Sequence, residues 1–293
     1  MAGQNIGRWR VGDVEIFSIP EVIQWHDDIH VLLEDATPAL LLKYPWLQPH
    51  YGSADGRMII NFQGFVVKSG GRNIIIDTCI GADRQREYDI FCNLKSDYLS
   101  DLRAIGVTPD NVDIVLCTHL HFDHVGWNSH RVGDRWVPTF PNARYLFGRV
   151  EYEHWRELYR TKGYHHMLHI EECVVPVLEA GLVDLIEMDH RVTDEIWLQP
   201  TPGHTPGHVS VHIASRGQAG VLTGDIMHSP IQIALPERIG KFDMDRPLAA
   251  HQRTRFVRAT ADKPILVIGS HFPQPTAGHI ISDASSWRFA GCS

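Results

Sequence analysis

The segment Thr118-His119-Leu120-His121-Phe122-Asp123-His124 constrains this chain more than any other stretch, because it packs four metal-ligand side chains directly behind an apolar run, Val112–Cys117. That run reads as a short buried strand. At a strand end alternate residues face one side, so His119 and His121 can converge on one ion, while the following turn presents Asp123 and His124. A lone histidine pair at a strand end is commonly satisfied by hydrogen bonds. Four donors in so short a span are not accounted for that way.

The grammar repeats downstream. Pro202-Gly203-His204-Thr205-Pro206-Gly207-His208, Leu222-Thr223-Gly224-Asp225 and Ile268-Gly269-Ser270-His271 each follow an apolar run and each include glycine. Repetition of this arrangement points to metal. Imidazole suits zinc and iron, and carboxylate widens the choice to manganese or cobalt. We expect two divalent ions, zinc first, with manganese, cobalt or iron open.

Around these loops the chain reads as strands followed by helix-like segments, as expected for mixed sheets covered by helices. Phe65–Thr78 spells a hairpin with Gly70-Gly71 at the turn. Ile196–Gln199, Val209–Ile213, Gly220–Leu222 and Ile265–Ile268 are further strand candidates. Arg149–Arg160 and Glu171–Ala180 carry helical spacing and flank a histidine-rich stretch, 161–169. Residues 1–60 read as an N-terminal extension, with 14–22 holding a strand and 43–52 irregular; 149–181 reads as a helical insert in one domain spanning 1–293.

Composition narrows the function. At 293 residues and 43% hydrophobic content the chain can fill a sizeable core. No secretory leader or membrane-length apolar run is visible, so a cytoplasmic protein without membrane attachment is expected. The 5 cysteines, Cys79, Cys92, Cys117, Cys173 and Cys292, are scattered and suggest neither disulfides nor a zinc ribbon. A formal charge of −8 with no basic cluster argues against nucleic acid and so against a nuclease.

His119-Leu120-His121-Phe122-Asp123-His124, with the later His204, Asp225 and His271, resembles the metallo-β-lactamase superfamily over roughly residues 60–280. The resemblance implies an α/β fold, an αββα sandwich of two mixed sheets flanked by helices. It also implies that His119, His121 and His204 bind a first metal, that Asp123, His124 and His271 bind a second, and that Asp225 bridges them. Asp77 matches an early aspartate that orients the metal loop. A bridging Asp225 separates the chain from the true β-lactamases. Phe140–Ala143, residues 203–208 and the closing 271–280 are similar to the methyl parathion hydrolase and N-acyl homoserine lactonase branch.

What the resemblance implies is a hydrolase that cleaves a lactone or other carboxylic ester with a hydroxide held between two metals. A phosphotriesterase is the first alternative and an iron-dependent redox protein on the same fold a further one; a decayed, non-catalytic metal binder is disfavoured by the complete donor set. By analogy Asp123 would shuttle the proton. The lactonases place a tyrosine three residues after the bridging aspartate, where this chain has His228, a second catalytic candidate that can donate a comparable hydrogen bond. A homodimer is implied, with residues 1–60 contributing.

Other candidates carry plainer expectations. His208 and His279 should support rather than ligate. His165 and His169 would share a helix face without forming a site, and His130, His154 and His166 are treated alike. Cys79 and Cys117 should pack. Trp25, Trp46, Phe62 and Trp127 either wall a pocket for an acyl or aryl group or belong to the core.

Overall fold

The β-branched and aliphatic runs become strands, fifteen in all among the described residues: β1 (Arg8–Val11), β2 (Val14–Asp28), β3 (Arg57–Ser69), β4 (Arg72–Ile76), β5 (Ile114–Cys117), β6 (Ser129–Val132), β7 (Arg135–Pro138), β8 (Arg144–Gly148), β9 (Val183–Ile186), β10 (Ile196–Pro200), β11 (Val209–Ser215), β12 (Gln218–Leu222), β13 (Ile265–Ile268), β14 (Ala277–Asp283) and β15 (Ser286–Gly291). The structure is a computed structural model and describes residues 3, 5–86, 88–162 and 167–292. One sheet has seven strands in the order β1-β2-β3-β4-β5-β8-β9, a second has six in the order β10 to β15, and β6 and β7 form a hairpin. Both larger sheets mix parallel and antiparallel pairs, so the fold class read from the motifs is the one found.

The chain divides into two units. The first holds Met1–Arg10, Val14–Glu21 and Phe62–Thr193. Its β3–β4 hairpin closes through Gly70 and Gly71, both at positive φ (57° and 78°), as a two-residue turn between twisted strands requires. From β4 onward the pairs β4–β5, β5–β8 and β8–β9 are parallel. Ile74, Ile75, Ile76, Val115 and Leu116 are almost wholly buried, the continuous apolar character expected of parallel strands. Ile75 and Val115 join a core in which Val66, Tyr145 and Phe147 meet Leu102, Trp155 and Val177.

Two elements differ from expectation. The first long strand extends to Asp28 and carries Pro20 within it. The helical stretch at 171–180 is two short helices, Leu168–Cys173 and Val175–Glu179. Pro176 lacks the N–H that a continuous helix would need there, so the chain restarts with proline in its first turn. The helix expected at Arg149–Arg160 runs from Arg149 to Lys162.

The second unit holds Val11–Asp13, Val22–Asn61 and Asp194–Ser293. β10, β11 and β12 are antiparallel neighbours, whereas β12 and β13 are parallel and need a crossover. That crossover contains the helix Arg246–Thr260, whose cap Asp245 accepts from Leu248 N. Tyr51, Phe272 and Phe289 pack as mutual edge-to-face rings behind this sheet. No helix among the described residues is long and apolar enough to cross a membrane.

Candidate metal centre

In the first unit the donors stand where β4 and β5 end side by side, with Ile76 paired to Leu116. Asp77 follows immediately at a φ of 59°, a conformation aspartate tolerates better than most residues. Its backbone N–H donates to Leu116 O at 2.9 Å. Its carboxylate accepts from Thr118 N at 2.8 Å and from Thr118 Oγ1 at 2.8 Å, and meets His124 Nδ1 at 2.9 Å. One buried carboxylate thus grips both ends of the histidine loop.

These contacts assign tautomers. Thr118 Oγ1 spends its proton on Asp77, so it accepts from His119 Nδ1 at 3.1 Å. His124 likewise donates from Nδ1. In both rings Nε2 is left as the basic nitrogen, the arrangement in which histidine ligates metal. His119 Nε2 lies 3.0 Å from His121 Nδ1, close to the roughly 3.3 Å between two nitrogens on one tetrahedral ion. His124 Nε2 is 3.6 Å from Asp123 Oδ2.

A residue that the motif did not reveal braces this loop from below. Glu151, in the first turn of the helix Arg149–Lys162 and almost fully buried, accepts from Leu120 N at 3.0 Å and from Trp155 Nε1 at 2.6 Å. The Trp155 ring then stands edge-on to His121 at 5.4 Å. Nothing in the local sequence marks Glu151, which lies 31 residues from its partner.

In the second unit the parallel register of β12 and β13 pairs Leu222 with Ile268. Asp225 and His271 are each the third residue beyond that pair, so they leave the sheet at one end. His271 donates from Nδ1 to Asn61 O at 2.8 Å, and its Nε2 is 3.2 Å from both carboxylate oxygens of Asp225. His204 Nε2 is 3.5 Å from Asp225 Oδ2, while its Nδ1 meets Asp243 Oδ1 at 3.2 Å. His228 is mostly buried, with Nε2 3.2 Å from Asp225 Oδ2 and its ring stacked on His271. His204, Asp225 and His228 offer donor atoms within 4.8 Å of one another.

His208 supports the loop rather than joining that group. Its Nε2 accepts the backbone N–H of Asp225 at 2.7 Å, and Nδ1 is satisfied by Thr201. The approach is so close that a Cβ at Gly224 would stand 2.5 Å from His208 Nε2, and Gly224 also adopts a φ of 55°. His279 Nδ1 bonds Ile265 O at 2.9 Å between strands.

Asp243 is another residue that no local sequence pattern marks. Burial alone would raise its pKa, but the hydrogen bond with His204 and the Arg253 guanidinium outweigh that and hold the carboxyl at about 2. His228 is displaced the other way, since burial outweighs the neighbouring Asp225 carboxylate and keeps the imidazole below its ordinary pKa.

The donor chemistry fits a divalent cation. His119, His124, His204 and His271 each have Nδ1 on an oxygen acceptor, and those acceptors fix which nitrogen faces a metal. Among the remaining candidates, Trp127 stacks on Tyr98 in the core, to which Cys79 and Cys117 also belong, and Phe62 packs on Phe91. Trp25 and Trp46 are half-buried. His165 and His166 lie outside the described residues.

The chain belongs to the metallo-beta-lactamase superfamily, whose pattern matches residues 63–271 and so takes in all seven candidate ligands. Within it, an N-acyl homoserine lactonase of Bacillus thuringiensis is 29% identical over 174 residues, which make up 59% of this chain and 61% of that protein. The chain thus spans less than two thirds of this curated relative. Among solved structures, the hydrolase AbOPH of the beta lactamase superfamily superposes with a TM-score of 0.80 at 25% identity, covering 100% of this chain and 98% of that one. AidC, a dizinc quorum-quenching lactonase, gives 0.78 at 20% identity over 99% and 98%, a likeness of fold.

Proposed function

We propose that the chain is a dinuclear metal-dependent hydrolase that opens a lactone or cleaves another carboxylic ester. The observation that carries this reading is the tautomer pattern: four histidines are held at Nδ1 by oxygen acceptors, which turns four basic Nε2 atoms toward a cation. In the proposed assignment His119, His121 and His204 hold one ion, Asp123, His124 and His271 hold the other, and Asp225 serves both. In support, His119 Nε2 and His121 Nδ1 stand 3.0 Å apart within the first unit, and His271 Nε2 stands 3.2 Å from the Asp225 carboxylate within the second. Zinc is the proposed metal, since imidazole with carboxylate suits it and AidC is described as dizinc.

When bound, such ions supply a nucleophile at neutral pH by lowering the pKa of water to about 7 and polarise the substrate's carbonyl oxygen. The protein's own groups do the rest. Asp123 is partly exposed, unlike the buried His119 and His124, and is the carboxylate proposed to take a proton from the attacking water and return it to the departing alkoxide. His228 is proposed to donate from Nε2, the nitrogen that faces Asp225, to the carbonyl oxygen of the substrate. Low basicity keeps it neutral, with a proton to donate and no charge to repel the ions.

The test is proton release from a long-chain acyl homoserine lactone by zinc-reconstituted protein, beside His204→Ala. Metal-dependent turnover that disappears in the variant supports the proposal. A protein shown to hold two zinc ions that hydrolyses neither this lactone nor an aryl ester would sink it.

A further inference from the structure

Among the side chains that the helix Arg246–Thr260 buries in the second unit is a charged one, Arg253, with no solvent exposure. Four hydrogen bonds consume most of its donors. Nε donates to Ile226 O at 2.7 Å, Nη1 to Arg238 O at 2.8 Å and to Pro236 O at 3.4 Å, and Nη2 to Asp243 Oδ2 at 2.7 Å. Two of these partners adjoin metal donors. Ile226 follows Asp225, and the Asp243 carboxylate presents its other oxygen to His204 Nδ1 at 3.2 Å.

The geometry points to Arg253 as a positioning residue that sets His204 and Asp225 at a common spacing, the first through Asp243 and the second through the carbonyl of Ile226. This rests on the dinuclear reading given above. A guanidinium is planar and carries its donors in a fixed fork, so the distance between its two acceptors is dictated by covalent geometry. Asp243 acts only on His204. Arg253 acts on His204 and on the carboxylate that both ions share.

The two residues therefore predict different losses. In Asp243→Asn the amide meets a donor whichever way it is turned, His204 on one side or Arg253 on the other, and one of the two metal-binding steps should weaken about 10- to 100-fold. In Arg253→Met both steps should weaken. Arg253→Lys keeps a positive charge beside Asp243 and so guards against simple failure to fold, but one ammonium cannot reach Ile226 O, Arg238 O and Asp243 together. It too should weaken both steps.

The measurement is stepwise zinc affinity of the full chain by competition with a chromophoric chelator, with metal-free melting recorded for each variant. The expected result is one impaired step in Asp243→Asn and two in the Arg253 variants. Arg253→Lys that melts like wild type without metal, and binds both ions with wild-type affinity, would overturn the inference while leaving the dinuclear reading intact. Wild-type protein that binds no zinc would overturn both.

Discussion

His208 Nε2 accepts the backbone N–H of Asp225 at 2.7 Å, so of the two histidines in the 203–208 segment His204 is the proposed ligand and His208 secures the loop that carries Asp225. Removing that acceptor strands a buried N–H, which costs on the order of 1–3 kcal/mol. We expect His208→Ala to lower the unfolding free energy of the metal-free protein by that much, read from its shifted urea midpoint. An unchanged midpoint would mean that the Asp225 loop does not depend on this contact.

Asp77 offers a second substitution with a separable outcome. It accepts from Thr118 N and Thr118 Oγ1 and meets His124 Nδ1, so Asp77→Ala frees His124 to take the wrong tautomer. Zinc affinity should fall about 10- to 100-fold, as read by chelator competition. Wild-type affinity in this variant would show that the loop is held by its other contacts, such as Leu120 N to Glu151.

The contrast between Asp77 and Glu151 explains what the sequence could disclose. Asp77 follows an apolar strand, and the proposed ligands fall in clusters of His, Asp and Gly behind such strands, so chemistry and periodicity coincide at those positions. Gly70-Gly71 was legible for the same local reason, because a two-residue turn demands positive φ. Glu151, Asp243 and Arg253 act across 31, 39 and 27 residues, on Leu120, His204 and Ile226, and each sits in a stretch whose local pattern is ordinary helix or loop. Their roles arise from tertiary approach, which no local periodicity encodes. At Pro176 the apolar spacing favours one helix while the missing N–H favours a restart, and the backbone follows the proline.

Acid sensitivity should have a contribution from outside the metal centre. His169, on the helix Leu168–Cys173, packs edge-on to Trp155 at 5.2 Å, and although the residue is only part-buried its Nε2 is shut off from solvent without a partner. Burial, with Arg86 nearby, pushes its pKa from 6.5 down to about 3. The unfolded chain therefore binds a proton that the folded chain refuses, and the resulting stability, complete above pH 6.5, declines as pH falls from there toward 3. In His169→Phe, which keeps an aromatic ring against Trp155, this part of the slope should vanish, about 1.4 kcal/mol per pH unit. Equal slopes for wild type and variant between pH 6 and 4, by urea unfolding, would contradict the assignment.

Metal removal should be visible in stability before any activity is measured. A ligand that binds only the folded chain adds RT ln(1 + [L]/Kd), about 4 kcal/mol at a thousandfold excess over Kd. Chelation should lower the melting temperature, and two equivalents of zinc should restore it. A melting curve indifferent to chelator would show that the histidines and aspartates do not bind metal.

Because Asp225 and His271 stand equally far beyond the paired residues Leu222 and Ile268, the two donors act as a vernier on the β12–β13 seam. A slip of one residue between these strands would move one donor by about 3.3 Å along the seam and turn its side chain to the opposite face. Such a slipped chain would have the same circular dichroism and almost the same compactness. On the proposed assignment, zinc uptake after refolding is a readout of strand register, and it can sort correctly threaded molecules from near misses that spectroscopy of the backbone would count together.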